Sequence, residues 1–94
     1  MNIAYKKVDT KDAYKQLDTE MGVVFENDKS YTIQLLFTYP SPSDFARVIE
    51  SASLPTSGGF RINTDKPFIY TKQEGSNLYI KTVNDGVCIN ISEN

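Results

Sequence analysis

The sequence predicts an α+β fold: a twisted antiparallel sheet of five or six strands, with one helix (about 42–53) packed on one face and a short N-terminal helix (about 10–21). Three observations carry that expectation. β-Branched and aromatic residues alternate with polar ones along several short runs, as they do in half-buried strands. The stretch TYPSPSDFARVIESASLPTSGGF, residues 38–60, breaks from that pattern and carries helix punctuation. The chain has 94 residues, and at that size folding buries only about 60–65% of the unfolded surface, enough for one modest core. Residues 1–94 therefore read as a single small globular domain.

Taken in order, Asn2–Val8 reads as a first strand. In DTKDAYKQLDTEMG, Asp9 or Thr10 can cap a helix and Gly22 can close it. Ala13, Leu17 and Met21 recur every fourth residue beside Tyr14, which gives a thin apolar stripe. VVFENDKSYTIQLLFTY reads as a hairpin that turns at Glu26–Ser30. In its second arm Tyr31, Ile33, Leu35, Phe37 and Tyr39 point one way, and this period of two marks a central strand. Ser41 then fits an N-cap, Pro42 the first helical position and Asp44 the third. Phe45, Val48, Ile49 and Ala52 follow at i, i+3, i+4 and i+7, one face of a helix, with Arg47, Glu50 and Ser51 on the wet side. Leu54-Pro55 ends it, because proline disfavours helical backbone in the residue before it. Residues 56–59, TSGG, read as a connector. A phosphate-binding loop would need GxxxxGK[ST] ahead of a helix.

The remaining runs, FRINTD, PFIYTKQ, LYIKTV and VCINIS, are separated by DKP, EGSN and NDG and predict a meander. A four-residue turn at Glu74–Asn77 sets Tyr70 against Lys81 and Lys72 against Tyr79. A type I′ turn at Asp85-Gly86 sets Lys81 against Asn90 and Val83 against Cys88. One face then carries Ile69, Thr71, Leu78, Ile80, Thr82, Ile89 and Ile91. The other carries Tyr70, Lys72, Tyr79, Lys81, Cys88, Asn90 and Ser92, and it is the expected docking surface.

Composition bounds the chemistry. With 39% hydrophobic and 23% charged residues this is an ordinary folded domain. Ten basic residues against twelve acidic ones give a net charge of −2, which argues against general affinity for nucleic-acid phosphates. There is no histidine, so Ser/His/Asp and Cys/His arrangements are impossible, and the carboxylates are scattered through turns and caps. The chain is expected not to be an enzyme and to need no cofactor or metal. Cys88 is the single cysteine and reads as a small strand residue. No apolar run is long enough to span a bilayer, and MNIAYKKV lacks the apolar core of a secretory signal, so the expected setting is cytoplasmic. Asn90-Ile91-Ser92 is formally a glycosylation sequon.

Tyrosine beside lysine fits a protein interface, a stacking platform for single-stranded nucleic acid, or ordinary sheet stabilisation. The expected function is non-enzymatic binding to another protein or protein complex, by a small inhibitor that occupies its partner's surface. Tyr70, Lys72, Tyr79 and Lys81 would make the contact, with Arg61 from the Ser57–Arg61 loop. The alternatives are a self-associating subunit that pairs edge strands into a homo-oligomer, a toxin-neutralising immunity protein and a single-stranded nucleic-acid binder. In size and composition, though in no motif, the chain is similar to phage-encoded inhibitors of host defence, anti-CRISPR proteins among them.

Overall fold

β3 (Ser30–Leu35) sits where its alternation places it. Tyr31, Ile33 and Leu35 are buried and Thr32 and Gln34 face outward, in a computed structural model that describes residues 2–36, 45–63, 66–83 and 86–94. The other elements are β1 (Asn2–Val8), β2 (Lys15–Gln16), α1 (Leu17–Met21), β4 (Phe45–Ser51), β5 (Phe60–Asn63), β6 (Phe68–Thr71), β7 (Asn77–Thr82) and β8 (Val87–Glu93). They form two four-stranded antiparallel sheets, sheet I in the order β1-β8-β3-β6 and sheet II in the order β2-β7-β4-β5. Ile33, Leu35, Ile89 and Ile91 of sheet I meet Ala46, Val48, Ile62, Leu78 and Ile80 of sheet II in one buried cluster. Two sheets that each bury one face against the other need no helical cover.

The α+β expectation of a helix on a single five- or six-stranded sheet is therefore overturned. Within 42–53, residues 45–51 form β4, and Ser41, Pro42 and Asp44 lie outside the described residues. Over seven residues, FARVIES satisfies both periods. Ala46 and Val48 go to the core and Arg47 to water, which the helical spacing of Phe45, Val48 and Ile49 concealed. The N-terminal helix over 10–21 shrinks to Leu17–Met21. Its upstream backbone is engaged by β7: the Thr82 amide donates to the Thr10 carbonyl at 3.3 Å, and Lys15 and Gln16 pair with Ile80 and Tyr79. Leu17 and Met21 do face the core, and Gly22 closes the helix in the left-handed region.

The two hairpins predicted at EGSN and NDG fail for one common reason: their turns cross between sheets. Residues 72–76 carry the chain from β6 in sheet I to β7 in sheet II, and the segment after β7 returns it to β8 in sheet I. β6 pairs with β3 rather than β7, and β8 lies between β1 and β3. For β7 and β8 the inward set survives, because both strands face the same core from opposite sides. For β6 it inverts: Tyr70 is buried opposite Tyr31, while Ile69 is exposed opposite Thr32. Val23–Phe25 is no strand; Phe25 packs its ring 4.7 Å from Tyr31 and 5.3 Å from Tyr70. Asn90 is buried in the central strand β8 and donates to Asn2 and Ser92. A folded chain cannot offer that side chain for glycosylation.

Candidate functional site: the outer face of sheet II

Register builds this face residue by residue. Arg47 on β4 stands opposite Arg61 on β5 and opposite Lys81 on β7, so three cations form one row across three adjacent strands. Strands lie about 4.8 Å apart, and like charges directly opposite one another destabilise a sheet. No described carboxylate forms an ion pair with any of the three; the described salt bridges join Lys29 to Glu26 and to Glu93, on the other sheet. Phe45, two residues before Arg47 and so on the same face, carries the Arg61 guanidinium 4.0 Å and the Arg47 guanidinium 5.7 Å from its ring centre. Cation–π attraction holds both planar groups in place. Beside the row, Lys11, Phe45, Arg47, Lys81, Thr82 and Val83 line a hollow of about 200 Å³.

The other half of the face is closed. Tyr14 precedes β2, and its parity with Gln16 puts it on the outer side. Its hydroxyl donates to the Gly58 carbonyl, which ties the segment before β2 to the segment before β5. Burial pushes its pKa up while nearby Arg47 pulls it down. Gly59 is required at this contact. Its φ is +107°, and a Cβ there would meet the Tyr14 hydroxyl at 2.7 Å and the Val48 carbonyl oxygen at 2.9 Å.

The five residues expected to form the docking surface are split by this arrangement. Arg61 and Lys81 come together on sheet II, joined through Arg47. Tyr79 shares that outer face, between Gln16 and Ile49, but it is buried. Tyr70 lies in the core of the other sheet, where burial first, and then the negative charges of Glu50 and Asp18, push its pKa up to about 12. Its hydroxyl has no hydrogen-bond partner among the described residues. Lys72 is spent on its own turn, donating to the carbonyls of Gln73 and Ser76. Sequence reading missed Phe45 and Arg47 as site residues, because it placed both on a helix. The alternation in FARVIES was the signal that could have found them.

A second feature lies at the β5–β6 side. Phe60 and Ile69 are exposed there, the rings of Phe60 and Phe68 are 6.1 Å apart, and Ile49, Glu50, Gly59, Phe60 and Phe68 line an apolar hollow of about 400 Å³. Among the described residues no group of three or more acids and thiols is placed to hold a metal ion, and no helix is long and apolar enough to cross a membrane. No protein-family model, curated protein or solved structure matches the chain.

Proposed function

We propose that this protein is a non-enzymatic binding module that acts by occupying the surface of another protein, and that it docks through the outer face of sheet II. The row Arg61–Arg47–Lys81 supports this reading. In a chain of net charge −2, three cations set side by side with no ion pair to a described carboxylate cost the free fold stability. A partner that neutralises them recovers that cost. The neighbouring tyrosine-covered half supplies a rigid apolar shoulder beside the charges, the mixture that suits an interface core and rim. An inhibitor of the phage anti-defence kind is the narrower form of this reading, supported by size and composition alone. A cytoplasmic setting goes with that narrower reading.

A photo-crosslinking residue introduced at Arg61 on sheet II, and separately at Gln34 on the outer face of sheet I, tests the proposal in the native cell. Adducts to another protein from position 61 and none from 34 are expected, with loss of the adduct when Lys81 is replaced by Glu. Equal labelling from both faces, or labelling from 34 alone, contradicts it. Adducts only between copies of this chain would replace it with self-association.

A further inference from the structure

The row of cations also constrains what the partner must present. We infer that the hollow beside Arg47 and Lys81 seats carboxylate side chains from an extended acidic segment of the partner protein; this rests on the protein-binding reading above. Charge complementarity is the first support: three cations share one short row and face no described acid. Geometry is the second. Phe45 holds the Arg61 and Arg47 guanidinium groups 4.0 Å and 5.7 Å from its ring centre, and the planar N–H fork of a guanidinium matches the two oxygens of a carboxylate. Size is the third. A water occupies about 30 Å³ of liquid, so a hollow of about 200 Å³ takes a carboxylate with a few waters. Spacing is the fourth. Same-side residues of an extended chain repeat every ~6.8 Å, and the row spans about twice the ~4.8 Å strand spacing, so alternate acids of one segment reach cations in the row together.

Single-stranded nucleic acid fits the same face poorly. Binding without base readout needs open aromatic faces for stacking, and the Phe45 ring already carries a guanidinium at 4.0 Å. A longer phosphate backbone would also run onto the rest of a chain whose net charge is −2.

The test uses the whole chain at low salt and three labelled probes of equal length: a peptide alternating Glu and Ser, its Gln-for-Glu counterpart, and an oligothymidylate. The Glu peptide should bind, and the Gln peptide should bind at least about tenfold more weakly, the loss expected when charge-assisted contacts are removed. Amide NMR shifts in the unaltered chain should move at residues 45–49, 61 and 79–82 and stay still along β1 and β8. The double variant Arg47→Gln/Lys81→Gln should lose the binding while keeping its β-type circular dichroism. Three results would each overturn the inference: oligothymidylate binding as tightly as the Glu peptide, shifts that fall elsewhere, or binding that survives the double variant. If the peptide fails while crosslinking from position 61 still succeeds, the carboxylate assignment falls and the protein-binding reading stands. Failure of both removes both.

Discussion

The outer faces of the two sheets solve the same problem differently. On sheet I, neutral polar groups satisfy one another. Ser30 and Thr71 share a hydrogen bond at 2.8 Å, Thr32 donates to Asn94 at 2.7 Å, and Ser92 donates to Asn2 at 2.7 Å. Tyr5 covers Cys88, its hydroxyl 3.9 Å from the sulfur. Among the described residues, the one cation its register sets on that face, Lys7, stands at the edge strand β1, where lysine discourages pairing with another chain. On sheet II the exposed half is cationic, and among the described residues its charges are not matched. A face that satisfies itself stabilises its own fold. The face that sets like charges side by side is the one proposed to meet a partner.

The largest expected effect breaks the closed half of sheet II. Gly59→Ala forces a side chain into a backbone region that costs about 1–3 kcal/mol and drives it against the Tyr14 hydroxyl and the Val48 carbonyl. Urea unfolding should show that loss.

Next comes a polar group that sheet I leaves unmatched on its inner side. Tyr70→Phe removes a buried hydroxyl with no partner among the described residues and should raise stability by about 1 kcal/mol at neutral pH. The alkaline behaviour fixes the sign. The unfolded tyrosine loses its proton near pH 10, the folded one near about 12, so the unfolded state binds fewer protons across that window. Stability that is fully present below pH 10 is then lost as pH rises through 12. The phenylalanine variant should lack that share of the decline, as pH-dependent unfolding can show.

A smaller pair of changes sharpens the contrast directly. Ser92→Ala on sheet I breaks a satisfied ladder and should cost about 0.5–1 kcal/mol. Lys81→Gln on sheet II relieves repulsion and should leave the fold unchanged or more stable, by at most about 0.5 kcal/mol given screening at a partly exposed site. Thermal melts should show the Ser92 variant lowered and the Lys81 variant unchanged or raised.

The legibility of these features in the sequence follows their locality. β1 and the alternation of β3 were readable because Tyr31, Ile33 and Leu35 state their face within six residues. The inward sets of β7 and β8 were readable too, since parity depends on the core rather than on the neighbouring strand. Pairing was not readable. EGSN and NDG look like hairpin turns, and nothing local distinguishes a turn within a sheet from a crossing between two. That misreading brought Tyr70 to the surface, because hairpin pairing with β7 would reverse its parity. Arg61 and Lys81 were legible as exposed cations, but their union depended on β4, which the helical spacing of Phe45, Val48 and Ile49 disguised.

A double-mutant cycle on Arg47→Gln and Lys81→Gln, measured by denaturant unfolding at low and high salt, bears most directly on the difference between the two faces. The account predicts an unfavourable coupling of about 0.2–1 kcal/mol in the unaltered chain at low salt, shrinking as salt screens it. A coupling of zero, or one that favours the native pair, would contradict it: the row would then be a settled part of the fold, with no unmet charge to offer a partner.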